Sequence, residues 1–397
     1  MSATAKKIEN FPAINRYKPE TAVAVLAAHA QFMQENPAPE LKSVRQDGVE
    51  YLKTQGMPTP RLERWKFSNL IPAIKNHSAQ CGVANITMSG DTRFVTSEMD
   101  NIPPMGEDRY QDSALWHLND AFLRDVTVIA VPDNQKGRLE LIISGQDGHF
   151  CTLRMVVKLG RGAELTLIES YAGAGWVSPL AQIMLADNAV LRHVTTQEQD
   201  ISAVCTRTAD IQIGRDATYE SFVLNTGAAF ARHQVHARLT SENATANLSG
   251  ITLLRGQQTG DNTVLVEHSA PQGSSRQFFR AVIGDQARGV FQGKIHVHPQ
   301  AQKTDGYQLS NALLLSEVAE MDTKPELEIY ADDVKCSHGA TTGQLDDEAL
   351  FYLRSRGVPE SEARALLIEG FLGEVVACVT DEQMKELLRE KVRAWLG

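Results

Sequence analysis

Cys336 and His338 are the residues of this 397-residue chain whose types and spacing most suggest chemistry. They lie near the middle of residues 330–357, YADDVKCSHGATTGQLDDEALFYLRSRG. If a strand over residues 326–335 continues, its alternation places both side chains on one face, about 7 Å apart. Thiolate and imidazole together suit a soft or borderline metal such as iron, zinc or copper(I). Two ligands do not close a site, so another chain or exogenous sulfide would have to complete it.

A structural interpretation of the same residues stays open. Cys336 can be a small core residue, and His338 can cap a turn before Gly339. A nucleophilic Cys–His pair is the weakest alternative, because the sequence indicates neither an orienting third group nor an oxyanion site.

Two further histidine pairs lie in KIHVHP and ARHQVH. His296 and His298 alternate with Ile295 and Val297 before Pro299, which favours the outward polar face of a strand over a ligand set. We interpret His233 and His236 in the same way.

The elements that must position these residues are short β-strands. From about Thr127 the chain reads TVIAV, LELIIS, LRMVVKL, ELTLIES, AVLRHVTT, ADIQIG, TYESFVL, VHARLT, ITLLRG, TVLVEHS, RAVIG, VFQGKIHVH and ELEIYADD. Each segment is alternating or β-branched, and most are bounded by Gly, Asn, Asp or Pro. These segments predict a mostly β core.

A weak repeat favours a β-solenoid over a sandwich. A turn residue followed by alanine and an alternating strand recurs at residues 162–165, 188–191 and 216–219, with an echo at 243–246. The spacing of about 26 to 28 residues matches one coil of a solenoid. Stacked coils would cover strand edges laterally and expose them only at the ends.

Both termini read as helical, which divides the chain into three regions. Residues 1–90 form a helical amino-terminal region, residues 91–345 the β-core, and residues 346–397 a carboxy-terminal helical region. The last region has two adjacent apolar stripes, and Thr380 with Gln383 predicts a capping box for the final helix. Such broad apolar faces require docking on the solenoid or on another protein.

Composition excludes several classes of protein. The net charge of -10 argues against a nucleic-acid partner, and the apolar runs are too short to span a bilayer. The amino terminus has no apolar signal region, and five scattered cysteines indicate reduced, cytoplasmic thiols. We find no Walker loop, dinucleotide fingerprint or nucleophile elbow, which weakens an enzymatic interpretation.

At this point the residues suggest a family. Residues 301–358, AQKTDGYQLSNALLLSEVAEMDTKPELEIYADDVKCSHGATTGQLDDEALFYLRSRGV, resemble the carboxy-terminal signature of the SufB/SufD family of iron–sulfur cluster assembly proteins. PTPRLERWKFSNL at 58–70 is similar to the family's amino-terminal motif. Short length, few cysteines and Gly339 after His338, where SufB has glutamate, make the chain more similar to the SufD branch.

The resemblance implies a right-handed parallel β-helix with helical ends. It implies a non-catalytic scaffold in a SufBCD-type complex that assembles nascent iron–sulfur clusters and transfers them to apo-proteins. A SufB-like subunit would supply the main thiolate at a shared interface, where His338 is the ligand and Cys336 an auxiliary or structural thiol. A SufC-like ATPase would dock on helices 360–396, and a homodimer would be an alternative when the chain is alone.

Two other function classes stay open. A β-helix carbohydrate-active enzyme would use clustered acids, of which Glu328, Asp332 and Asp333 are close in sequence. A metal-free interaction scaffold would use the strand edges and terminal helices only to bind partners.

Overall fold

The computed structural model describes residues 18–98 and 113–397. The prediction that the amino terminus has no apolar signal region concerns residues that lie mostly outside these ranges. Its eighteen strands are β1 (Asn85–Gly90), β2 (Val95–Glu98), β3 (Val126–Val131), β4 (Lys136–Gly145), β5 (Phe150–Leu159), β6 (Glu164–Gly173), β7 (Trp176–Leu185), β8 (Val190–Gln197), β9 (Val204–Ile213), β10 (Thr218–Asn225), β11 (Phe230–Leu239), β12 (Thr245–Leu254), β13 (Thr259–His268), β14 (Ser274–Ile283), β15 (Arg288–Val297), β16 (Asp305–Leu314), β17 (Glu320–Ile329) and β18 (Lys335–Gly343).

Within the described residues, seven α-helices flank this core at its two ends. They are α1 (Val23–Glu35), α2 (Lys42–Gln55), α3 (Leu70–Ile74), α4 (Ala114–Ala121), α5 (Asp347–Ser355), α6 (Glu360–Val376) and α7 (Glu382–Leu396). None of the helices in these described ranges is long and apolar enough to cross a membrane.

The core is a parallel β-solenoid of about eight turns, as the sequence predicts. Even-numbered strands from β4 to β18 form one sheet and odd-numbered strands from β3 to β17 the other, each strand pairing with the strand two positions away. Each coil therefore adds one strand to each sheet. Inward positions of both sheets build a large apolar core that extends from the first coils to Phe291 on β15.

Left-handed turn residues explain the repeat seen in the sequence. The four turn residues Gly162, Asn188, Asp216 and Asn243 have φ between 55° and 64°. The alanine after each is completely buried (Ala163, Ala189, Ala217 and Ala244). Glycine, asparagine and aspartate tolerate this conformation best, and only a small side chain fits the inner corner that follows.

The two ends of the solenoid differ. At the first coil, the short strands β1 and β2 run antiparallel to β4 and β3. At the last coil, β17 and β18 are the terminal strands of the two sheets, and their outer edges have no further strand within the described residues. The last coil therefore presents two long, unpaired backbone edges.

The amino-terminal helices cover the outer face of the first odd-numbered strands. Trp65 is completely buried beside Phe150 and Trp176 in one apolar cluster. The Arg232 guanidinium lies 3.9 Å from the centre of the Trp65 ring and pairs with the buried carboxylate of Asp261. This charge pair joins the amino-terminal segment to the middle of the solenoid.

Helices α6 and α7 dock on the outer face of the even-numbered sheet. Ile368, Leu372 and Val376 are buried in one cluster with Phe222, Ile251 and other solenoid residues. The predicted capping box at Thr380 is wrong: Asp381 caps α7 by accepting from the Met384 N–H at 3.0 Å. The Thr380 hydroxyl instead donates to Glu220 of the solenoid at 3.1 Å.

Candidate functional site

Cys336 and His338 lie on β18, the last strand of the solenoid. The expected continuous strand over residues 326–335 is wrong, because β17 ends at Ile329 and a turn separates it from β18. Within β18 the alternation still holds, so both side chains lie on the same side. Their register partners on β16 are Gly306 and Gln308.

Cys336 points into the solenoid. It is half-buried and packs against the cluster of Ile295, Val297 and Ala301. Burial raises the pKa of its thiol above the ordinary value. The thiol therefore stays protonated at neutral pH and becomes a ligand only when a metal displaces its proton. This position suits the auxiliary role expected for Cys336.

His338 lies on the same side but is exposed, because no further coil covers the last strand. Beneath it, Gln308 is completely buried, and neither its amide nitrogen nor its amide oxygen has a partner in the described protein. The imidazole thus lies at the open end of the solenoid core. The sequence predicted that Cys336 and His338 share one side of a strand.

Apolar side chains are exposed around the same end. Tyr330 is 56% exposed, and Tyr307 and Ile329 are each 38% exposed. On α5, which follows β18, Phe351 is 74% and Tyr352 is 56% exposed. Exposed apolar side chains beside an unpaired strand edge, such as Ile329 at the end of β17, are typical of a protein interface.

A charged network inside the solenoid was not predicted. The buried Glu169 carboxylate accepts from the Tyr171 hydroxyl at 2.6 Å and from Arg207 Nε at 2.9 Å, and it contacts His193 Nε2 at 2.9 Å. Despite burial, Arg207 and His193 hold the pKa of Glu169 well below its usual range. His193 and Arg207 lie 24 and 38 residues from Glu169 and on other strands, so no local sequence pattern connects them to it.

His233 belongs to this network, so the prediction that it lies on an outward face is wrong. It is buried, and its Nδ1 lies 3.4 Å from Arg207 Nη1. Burial and the Arg207 charge hold its pKa well below the ordinary value, so its imidazole is neutral. Its pair residue His236 does face outward and contacts Glu267 at 3.0 Å.

His296 and His298 lie on the outer face, as predicted. They are not a solvated polar surface, however, because His296 is only 9% exposed and their rings are 4.5 Å apart. Both contact glutamates of neighbouring coils: His298 contacts Glu267, and His296 contacts Glu328.

Glu328, one of the acids considered for carbohydrate chemistry, is not a suitable general acid. Hydrogen bonds from Lys294, Tyr330 and His296 lower the pKa of Glu328 to about 2. A general acid or base works best with a pKa near the working pH. Glu328 is therefore an ionised structural partner of Lys294, whose Nζ lies 2.5 Å from it.

Comparison with known proteins identifies the family. The family described as "SUF system FeS cluster assembly, SufBD core domain" matches residues 141–371, from the first coils to α6. This range contains Cys336 and His338, and it also contains His296 and His298.

Three similar proteins carry related names. The iron–sulfur cluster assembly protein SufD of Escherichia coli is 30% identical over 87% of this chain and 91% of its own length. SufBD family iron–sulfur cluster assembly proteins of Synechocystis and Mycobacterium tuberculosis are 30% and 27% identical over 72% and 84% of this chain, and over 67% and 87% of their own lengths. The chain therefore belongs to the SufBD family of iron–sulfur cluster assembly proteins.

Proposed function

We propose that this chain is a non-catalytic, SufD-like scaffold subunit of a cytoplasmic SufBCD-type complex. It helps to hold a nascent iron–sulfur cluster, which is cargo for transfer to apo-proteins. The single observation that carries this proposal is the placement of His338, exposed on the last strand of the solenoid beside two unpaired edges.

A second subunit must complete the cluster site. His338 offers one imidazole. Burial raises the pKa of the Cys336 thiol, so this thiol binds a metal only after it has lost its proton. A SufB-like partner that pairs with the β17 and β18 edges would bring its own thiolates to His338. Imidazole is a weaker iron ligand than thiolate and can be protonated. Both properties favour release of the cluster.

The carboxy-terminal helices are the proposed docking site of a SufC-like ATPase. The inner faces of α6 and α7 pack against the solenoid. Leu366 on α6 is 48% exposed and lies close in sequence to the exposed Phe351 and Tyr352 of α5. ATP hydrolysis belongs to that partner, because this chain has no Walker loop. Closure of the ATPase pair would move α6 and α7 and, through them, the interface at His338.

The decisive experiment uses the chain co-expressed with a SufB-like subunit and a SufC-like ATPase. The purified complex is reconstituted anaerobically with iron and sulfide, and cluster loading is followed by visible absorbance. We expect His338→Ala to lower loading several-fold while subunit stoichiometry, measured by size-exclusion chromatography, stays the same.

Ser337→Ala is the matched control, because Ser337 is exposed on the same strand but on its opposite side. It should load cluster like the wild-type complex. Full loading in the His338→Ala complex would remove the proposed role of this imidazole. If the wild-type chains do not co-purify, the proposed complex does not form.

A further inference from the structure

Glu267, His296 and His298 form a compact cluster on the outer face of the odd-numbered sheet. Glu267 on β13 and His296 on β15 are register partners, and His298 follows one residue after the end of β15. One imidazole nitrogen from each histidine and one carboxylate oxygen all lie within 4.8 Å of one another. The cluster therefore brings three ligand atoms from two adjacent coils to one point.

We propose that Glu267, His296 and His298 bind a divalent transition-metal ion of the borderline class, such as Zn²⁺, Fe²⁺ or Co²⁺. Two imidazoles and one carboxylate are a donor set typical of this class. Three protein ligands leave at least one coordination position for water or an exogenous ligand. This site is separate from His338, which lies on the other sheet and faces the solenoid core.

Two of the three ligand atoms are already close to the separation that an ion requires. His298 Nε2 lies 2.6 Å from Glu267 Oε1. Metal bonds of about 2.0–2.1 Å in tetrahedral geometry separate two donor atoms by about 3.3 Å, so these two atoms need to move apart by about 0.7 Å. The His296 nitrogen lies within 4.8 Å of both atoms and must approach them by at most about 1.5 Å. The two imidazole planes differ by 65°, so the rings do not stack and can turn towards a common point.

Neighbouring residues already orient the ligands. His236 Nε2 lies 3.0 Å from Glu267 Oε2, the carboxylate oxygen that does not contact His298. Glu328 lies 3.2 Å from His296 Nδ1 and is itself held by Lys294. Hydrogen bonds of this kind fix the rotamers of ligating side chains and strengthen metal binding.

The Glu267 carboxylate supplies the acidic ligand of the cluster. Among the described residues, its side chain forms ion-pair contacts with the imidazoles of His236 and His298 and with no lysine or arginine.

Cobalt titration of the full-length, chelator-treated chain tests the proposal. Tetrahedral or five-coordinate Co²⁺ gives visible absorption bands, and Zn²⁺ should displace Co²⁺ and bleach them. We expect one bound ion per chain, and loss of these bands in both Glu267→Gln and His298→Gln. His236→Gln should keep the stoichiometry but weaken binding about 10- to 100-fold, because it removes only an orienting hydrogen bond.

His149→Gln is the matched control, because His149 immediately precedes β5, four coils before β13 in the same sheet, and should bind Co²⁺ like the wild-type chain. Far-ultraviolet circular dichroism without metal verifies that each variant is folded, and the half-buried His298 provides a second variant if Glu267→Gln does not fold. Unchanged cobalt bands in folded His298→Gln, or no bands in the wild-type chain at micromolar Co²⁺, would overturn the proposal. Equal loss in His149→Gln would overturn it too, whereas the cluster-loading result for His338 leaves it unaffected.

Discussion

The carboxylate of Glu169 shows how a single residue can hold a charged group inside a β-solenoid. Arg207, His193 and Tyr171 all direct their polar atoms at it, and all four side chains are buried. Burial alone would neutralise these groups, but their mutual attraction keeps the Glu169–Arg207 pair ionised. Such a pair contributes little net stability when complete, yet losing one member leaves an uncompensated charge.

We predict that Glu169→Gln lowers the free energy of unfolding by about 3–5 kcal/mol, because Arg207 remains charged and buried. Urea denaturation followed by circular dichroism measures the change. Glu164→Gln is the matched control on the same strand, since its partners Lys136 and Arg192 are at the surface. It should cost less than about 1 kcal/mol. Equal losses would show that Arg207 loses its charge or becomes solvated.

At this scale the sequence predicted the candidate ligands but not their surroundings. Cys336 and His338 were found because a thiol and an imidazole two residues apart share one side of a strand. Glu267 could not be assigned to His296 and His298, because its position 29 residues earlier becomes adjacent only when the coils stack in register. The same reason hides the contact between Glu169 and Arg207.

At the scale of elements, the left-handed turn residues set the corners of the coils. Asn188 has φ of 60°, and the following Ala189 is completely buried. The side chain at the first position must tolerate this backbone conformation, and the side chain at the second must be small.

We predict that Asn188→Gly changes the free energy of unfolding by less than about 0.5 kcal/mol, whereas Asn188→Val lowers it by about 1–2 kcal/mol. A β-branched side chain in the left-handed region clashes with its own backbone. Ala189→Leu should cost about 1–3 kcal/mol by overpacking the corner. Thermal unfolding of the three variants checks these values, and a stable Asn188→Val would contradict the conformational argument.

The two faces of α6 separate folding from partner binding. Leu372→Ala should lower the free energy of unfolding by about 2–5 kcal/mol, since Leu372 is 1% exposed against the solenoid. Leu366→Ala, on the same helix but 48% exposed, should leave stability nearly unchanged. It should instead reduce co-purification with the ATPase subunit. Unaltered co-purification of a folded Leu366→Asp variant would place the ATPase elsewhere.

Element types were predictable because their signals are local. Alternation with β-branched residues identified most strands, and the alanine repeat identified their stacking. Boundaries that depend on tertiary contacts were not predictable. The break between β17 and β18 follows from the need to turn one coil into the next, and Thr380 loses its capping role because the solenoid offers it Glu220.

For the whole molecule, buried neutral histidines make stability depend on pH. Burial lowers the pKa of His268 to about 4, and His193 and His233 are lowered in the same direction. Below the ordinary pKa of about 6.5 the unfolded chain binds protons that the folded chain does not. Folding stability therefore falls as pH decreases from about 6.5 towards 4.

We predict that His268→Gln removes roughly 3 kcal/mol of the stability that the wild-type chain loses between pH 7 and pH 4. Urea midpoints measured at half-unit pH intervals test this difference. Because the comparison concerns the slope with pH, any constant loss of stability in the variant does not affect it. An unchanged slope would mean that His268 is protonated in the folded chain.

The unlike ends of the solenoid limit how large an assembly can grow. The short antiparallel strands β1 and β2 close the solenoid at its first coil. At the last coil, β17 and β18 are terminal strands whose backbone edges are open to pairing. A rod with unpaired strand edges at one end only can form a single edge-to-edge contact. We therefore expect two chains joined through this end to form a closed dimer and not a fibre, and two kinds of chain that share this end to compete for the same partner.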